Sequence, residues 1–301
     1  MFFKRLKLEF FYLRKAFFEY RAGFKYIYNK FILAPKILKT NKILEKPINN
    51  NDLSIHILTC HKDLVMTVWS LASFYRNIEV VGQLFIHSDG SLNSTDEDIL
   101  KKFFPNAKII VPGYLFEKYN LELNSYLIVR KFRIEFTNYF LLKKLIDPYF
   151  VSDKKFRLII DSDLLWLSSA KEISSAVIEN KSQALMMKNN NSCYIYFKSG
   201  KSSDNLASFN SGIVLYNKID FNLDKLSDYL SKIDIENKEN SHFIEQAGYA
   251  YCLNNLVSLP ENLYSIKDKI DGKTVVKHYT SPRRPLFFIE GLEILKDRIL
   301  N

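Results

Sequence analysis

"FRLIIDSDLLWL", residues 156–167, places two carboxylates where a buried strand should end. Phe156, Leu158, Ile159 and Ile160 form an almost unbroken apolar run, the pattern of a strand covered on both faces of a sheet. Asp161 and Asp163 close that run, with Ser162 between them. In an extended chain residues i and i+2 point to one side, so the two carboxylates face the same space. Like charges so placed repel unless a cation lies between them. Hard divalent ions prefer carboxylate oxygen, and Mg2+ keeps one or two carboxylates plus substrate phosphates. The bland reading of the same residues is a polar turn capping the next helix.

Upstream, the chain alternates between two periods. "LSIHILTC" (53–60) is a strand, and residues 61–77 form a helix with Leu64, Val68, Leu71 and Tyr75 on one face. "VGQLFIHSDG" (81–90) is a second strand, Ser94 or Thr95 caps the helix that follows, and "AKIIV" (107–111) is a third strand. Such a β-α-β-α-β order predicts a parallel sheet with right-handed crossovers. Ligands bind outside the carboxyl ends of these strands, which places Thr59, Cys60, His61 and the loop 88–90 on the binding edge. A long helical pattern covers 124–146, with Pro148 after it.

Downstream, "QALMMK" (183–188) is a strand and residues 189–205 are a polar, mobile loop suited to close over a ligand. "FNSGIVLYNK" (209–218) is a turn into a strand; "LDKLSDYLSKI" and "HFIEQAGYAYCLNN" are helices. "TVVKHYTSPRRP" (274–285) is a strand running into a basic loop. His278 can complete a metal site with Asp161 and Asp163, and an imidazole ligand shifts the expected ion from Mg2+ toward Mn2+. Arg283 and Arg284 carry planar forks that match phosphate oxygens. Read singly, His278 is a satisfied histidine and the arginines a solvated loop.

"LIIDSDLLWL", "FNSGIVLYNK", "EQAGYAYCLN" and "VVKHYTSPRRP", in that order, resemble the signature of GT-A glycosyltransferases, and most of all the family-8-like enzymes that use nucleotide sugars. The likeness covers roughly residues 53–288. It implies an α/β, Rossmann-like GT-A fold with a mainly parallel sheet over residues 46–301, a nucleotide-sugar donor (UDP-sugar favoured), and Mn2+ or Mg2+ as cofactor. It also implies a glycan or lipid-linked acceptor, cell-surface polysaccharide synthesis, and a cytoplasmic site at the inner face of the membrane.

Carried onto this chain, the resemblance places Asn210, Glu245 and Gln246 at the catalytic edge and Ser211 and Gly212 beside the donor. Arg130 and Lys131 match a basic position that contacts the diphosphate. Asp89 and His61 would meet the base or ribose, although an Asp-Gly turn and a first-turn helix residue describe them equally well. Glu245 stands where the family has Asp, and "TSPRRP" replaces the usual Gly and Lys after the histidine. In a retaining enzyme, favoured by resemblance alone, no strong base is needed; in an inverting one Glu245 would deprotonate the acceptor.

Two other enzyme classes fit less well. A haloacid-dehalogenase-type hydrolase carries its Asp pair near the chain start, and a nucleotidyltransferase shows a Gly-rich phosphate loop that "TCHKD" lacks. A degenerate domain that binds a sugar nucleotide or a partner without turnover is the non-enzyme alternative.

Of the 301 residues 47% are apolar and 25% charged, an ordinary globular mix. Three widely spaced cysteines give neither a disulfide framework nor a zinc pattern. No apolar run approaches the ~18 residues of a membrane span. The net charge of +10 is concentrated in residues 1–40, where ten basic residues face two acidic ones for a net +8. The remaining body is near neutral, which argues against nucleic acid as its partner. Within this leader Phe3, Leu6, Phe10, Leu13, Phe17, Tyr20, Phe24, Ile27 and Phe31 recur at steps of three and four. They predict a basic amphipathic helical extension over residues 1–45, interrupted or bent at Gly23. Its aromatic stripe suits a membrane interface, or equally a packing face on the body or on a second subunit of a homodimer.

Overall fold

The computed structural model describes residues 2–136, 140–189, 194–201, 206–267 and 269–301. Helices α1 (Phe2–Arg14) and α2 (Gly23–Tyr28) are extended by tighter or wider turns over Lys15–Glu19, Asn29–Leu33 and Ala34–Lys39. The extension is therefore a helical hairpin, and the interruption expected at Gly23 falls just before that residue, at Arg21, with φ of 50°. Gly23 is required there, because a Cβ would lie 2.3 Å from the Phe17 ring.

Next come β1 (Leu53–Thr59), α3 (Leu64–Asn77), β2 (Gln83–Ser88), α4 (Ser94–Phe103) and β3 (Lys108–Ile110), in the order the sequence predicts. The cap of α4 is Asn93 rather than Ser94 or Thr95: its side chain accepts from the Asp96 N–H while Asp96 accepts from the Asn93 N–H.

The single long helix expected over 124–146 is three pieces, α5 (Tyr114–Asn124), α6 (Leu127–Glu135) and α7 (Leu141–Val151). Pro148 lies inside α7 instead of following the helix. Proline removes the hydrogen bond to the carbonyl four residues back, here Lys144. The Tyr249 hydroxyl donates to that carbonyl at 2.5 Å, which lets the helix continue.

The chain proceeds through β4 (Phe156–Asp161), β5 (Leu164–Trp166), α8 (Lys171–Ile178), β6 (Ala184–Lys188), the short hairpin β7 (Tyr196–Phe197) and β8 (Gly200–Lys201), and β9 (Phe209–Asn217). Then follow α9 (Leu223–Lys232), α10 (Ile244–Cys252), β10 (Leu256–Ser258), β11 (Tyr264–Ser265), β12 (Val276–His278), α11 (Arg284–Leu286) and α12 (Leu292–Leu300). Residues 190–193 and 202–205 of the expected lid lie outside the described residues.

The main sheet runs β10-β6-β9-β4-β1-β2-β3, and β9 is antiparallel to both its neighbours. Side chains of β4 alternate between two cores. Leu158 and Ile160 join Val68, Phe74 and Leu100 from α3 and α4, whereas Ile159 joins Leu145, Leu226 and Ile244 from α7, α9 and α10. The near-continuous apolar run follows from burial on both faces. Each such side chain contributes about 1.5–3 kcal/mol on burial.

Candidate active site

The Asp pair marks a change of sheet. Asp161 is the last residue of β4, while Leu164 begins β5, which belongs to a second sheet of order β11-β12-β5. The two aspartates thus converge through a turn between strands, not along one strand. Antiparallel pairing sets His278 opposite Leu164, and the Tyr279 N–H donates to the Asp163 carbonyl at 3.0 Å. This register delivers His278 to the pair from over a hundred residues away: its Nε2 is 3.0 Å from Asp163 Oδ1 and 3.4 Å from Asp161 Oδ2.

One ligand atom from each of Asp161, Asp163 and His278 lies within 4.8 Å of the others. That spacing fits one cation with oxygen and nitrogen ligands at about 2.0–2.2 Å. The second ring nitrogen, Nδ1, lies 2.9 Å from Asn210 Oδ1, which also accepts from the Gly212 N–H. Asn210 therefore fixes the imidazole so that Nδ1–H donates away and Nε2 faces the carboxylates, the usual support for a ligating histidine. Gly212 makes room for the ring, since a Cβ there would lie 2.4 Å from His278 Nδ1. "FNSG" is not the expected turn: all four residues belong to β9, which bulges there, because Met186 of β6 pairs with Val214 and the next residue, Met187, with Asn210, so Ser211 and Gly212 have no partner in β6.

A second basic group arrives from α7. Lys144 is buried, and its ammonium lies 2.7 Å from Asp161 Oδ1 and 3.0 Å from Glu245 Oε1, while donating to the Ser211 carbonyl at 2.7 Å. Glu245 Oε2 accepts from the Ser211 hydroxyl at 2.6 Å. Glu245 and Gln246 are both buried on α10. On the other side Arg284 donates from Nε to Asp163 at 3.2 Å and from Nη1 to Asp63 at 3.0 Å. It ties the arm after β12 to the loop after β1.

Electrostatics follow from these contacts. Burial disfavours charge on Asp161 and Asp163, but Lys144 and His278 hold the first, and His278 and Arg284 the second, below the ordinary carboxylate range. Burial would lower the His278 pKa, yet the two aspartates raise it to about 9. Lys144 is kept charged against burial by Asp161 and Glu245. Burial pushes the Glu245 carboxyl up against the pull of Lys144.

Other expected residues have different partners or positions. Thr59 is buried, its hydroxyl 2.5 Å from that of Thr67. The His61 ring is half exposed and bonds Asp96 at 2.7 Å. Asp89 forms a turn, accepting from the Ser91 N–H at 2.8 Å, and Ser162 is buried between the aspartates. Arg283 donates to the Thr280 hydroxyl at 3.5 Å. Arg130 and Lys131 lie on α6, where Lys131 is exposed and pairs with Glu135 at 3.9 Å. From the helices before the Asp pair, the basic residue that touches it is instead Lys144 on α7.

Lys144 and Asp63 escaped the sequence reading. For Lys144 a signal existed: "LLKKLI" (141–146) sets two lysines inside an apolar helical run, and buried charges require partners. Lys143, buried as well, donates to the Asp89 carbonyl at 2.8 Å. Asp63 gave no comparable signal, because its partner lies 221 residues away.

No family model matches the chain, and no curated protein matches it. Solved structures do. The apo structure of the bifunctional glycosyltransferase WbbM superposes with a TM-score of 0.53 at 10% identity, over 85% of this chain and 52% of that one. The glycosyltransferase GlyE from Streptococcus pneumoniae TIGR4 gives 0.52 at 12% identity, over 84% of this chain and 63% of that one. Mouse xyloside xylosyltransferase 1 gives 0.50 at 11% identity, over 77% of this chain and 98% of that one. The chain thus spans about half of WbbM and nearly all of the xylosyltransferase. With the mixed sheet and the strand-switch Asp pair, these likenesses establish that the chain has the fold of the GT-A glycosyltransferases.

Proposed function

We propose that the protein is a metal-dependent glycosyltransferase that moves a sugar from a nucleotide diphosphate to a glycan or lipid-linked acceptor in cell-surface polysaccharide synthesis. The observation that carries this reading is the convergence of Asp161, Asp163 and His278 at the carboxyl end of β4, where open α/β sheets bind ligands. These three residues would hold the ion, with Mn2+ favoured over Mg2+ by the imidazole. When bound, the ion supplies a Lewis acid for the charge on the departing nucleoside diphosphate.

The chain's own side chains do the rest. Arg284 spans Asp163 and Asp63 and presents a guanidinium beside the pair, suited to phosphate oxygens. Asn210 holds the His278 ring in one orientation. Lys144 compensates Asp161 and Glu245 together, which keeps both carboxylates in place under burial. Glu245 is engaged on both oxygens by Lys144 and Ser211. The retaining course, like the UDP-sugar donor, is the reading of the sequence likeness.

The test is donor turnover. Release of UDP from a panel of UDP-sugars should require Mn2+, cease with chelator and fall by roughly 10²–10³ or more in Asp163→Asn. Metal-independent turnover that survives this substitution would remove the reading.

A further inference from the structure

The N-terminal hairpin has two faces of opposite character. Its inner face carries Tyr12, Ala16, Tyr26, Leu33, Ala34 and Ile37, all buried in the same core as β1 and α3. Asn29 secures it by donating to the Phe288 carbonyl at 2.7 Å and to Glu293 at 2.9 Å. The outer face is apolar too, yet uncovered. Phe10 is 71% exposed, Phe18 81% and Phe24 82%, and Leu6, Phe31 and Ile32 are each half exposed or more. Phe17 and Phe24 meet edge to face at 5.5 Å across the turn, so the two helical arms present one continuous aromatic surface.

Charge selects the occupant. Both acidic residues of the hairpin are consumed internally, Glu19 by Lys15 and Glu9 by Lys30. Lys7, Arg14, Arg21, Lys36 and Lys39 are exposed around the apolar surface. A second copy of the chain would bring two such hairpins, each net +8 over residues 1–40, against one another. Anionic lipid offers the complementary charge together with an apolar interior for the rings. Among the described residues no helix is long and apolar enough to cross a membrane, so the contact is interfacial.

We propose that this hairpin is an interfacial platform that seats the protein on an anionic lipid bilayer, with Phe10, Phe18 and Phe24 inserted and the basic residues at the headgroups. The platform is keyed to the candidate site: the Tyr12 hydroxyl donates to Ser281 Oγ at 3.2 Å, three residues before Arg284. Docking therefore holds the Arg284 arm at a fixed place relative to the lipid surface. That it brings the site to a lipid-linked acceptor rests on the transferase reading; the bilayer contact does not.

The experiment is co-sedimentation of the full chain with vesicles of phosphatidylcholine alone or with phosphatidylglycerol, without donor. Binding should require the anionic lipid, weaken with salt, and drop by about tenfold or more in Phe18→Glu/Phe24→Glu at an unchanged melting temperature. A second variant, Lys7→Gln/Arg14→Gln/Lys36→Gln, should lose the preference for anionic lipid by a similar factor. Failure of the wild-type chain to bind would overturn the proposal. So would equal binding by both well-folded variants, or a concentration-dependent dimer abolished by Phe18→Glu/Phe24→Glu, which would make a second copy the occupant.

Discussion

The candidate site and the outer face of the hairpin invert the same rule in opposite ways. At the site, charged groups are buried: Lys144, Asp163, Glu245 and His278 are all nearly inaccessible. On the hairpin, large aromatic rings stand in the open. Either inversion costs free energy in an isolated chain. The site offsets its cost within the fold, by pairing Lys144 with two carboxylates and the aspartates with His278 and Arg284. The hairpin's exposed rings have a smaller offset: Phe17 meets Phe24, and Lys30 lies over the Phe31 ring at 5.5 Å. Buried charge with partners marks a device already assembled, whereas exposed apolar surface marks one completed by an outside surface.

The largest expected effect breaks the first side of this comparison. Lys144→Met leaves the buried Glu245 without its cation and the partly exposed Asp161 with His278 alone, and should destabilise the protein by about 3 kcal/mol. Chemical denaturation measures it; a loss below about 1 kcal/mol would mean the carboxylates are hydrated.

Neighbouring rings on α2 sharpen the second side. Tyr26 is buried and stacks edge to face on Phe288 at 5.8 Å, while Phe24, two residues earlier, is exposed. Tyr26→Ala should cost roughly 3 kcal/mol or more and Phe24→Ala less than about 0.5. Equal effects would show that the two faces are not distinct in solution.

A pH titration of the metal-free protein probes the offset within the site. The His278 pKa in the folded protein, about 9, exceeds its ordinary value, so its stabilising contribution is complete below about pH 6.5 and is lost as pH rises through about 9. Asp161 and Asp163 have the opposite sign: their contribution is present above about pH 4 and lost as pH falls. Stability of the metal-free protein should therefore decline by a few kcal/mol between about pH 6.5 and 9. Saturating Mn2+, which needs the neutral imidazole, should flatten that decline and release protons below about pH 9. The same alkaline decline in His278→Gln would assign it elsewhere.

Much of this arrangement was legible in the sequence. The strand–helix alternation from Leu53 to Ile110 is local periodicity, and the folded chain keeps it. Asp161, Asp163 and His278 were legible as a candidate metal set only through the order of the motifs that carry them, each being weak alone, and the fold brings the three together. What escaped depends on partners distant in sequence. Lys144 is a lysine in a helix until Asp161 and Glu245 close on it. The passage of α7 through Pro148 goes with a tertiary contact, the Tyr249 hydroxyl to the Lys144 carbonyl. "FNSG" has the composition of a turn, but Gly212 serves the His278 ring from within a strand. The heptad steps of the leader identified an apolar stripe without its orientation: Leu13 and Tyr20 pack on the core, whereas Phe10, Phe24 and Phe31 point away.

The central claim is that the Asp161–Asp163–His278 cluster binds a divalent ion together with a nucleotide. Its most direct test is the melting temperature of the full chain with UDP, GDP, CMP and TDP, each with and without Mn2+. A ligand at a hundredfold its Kd stabilises the native state by about 2.7 kcal/mol. The account predicts a rise that requires one nucleotide and the metal together and disappears in Asp163→Ala. A rise with nucleotide alone that survives in Asp163→Ala, or no rise with any pair, would contradict it.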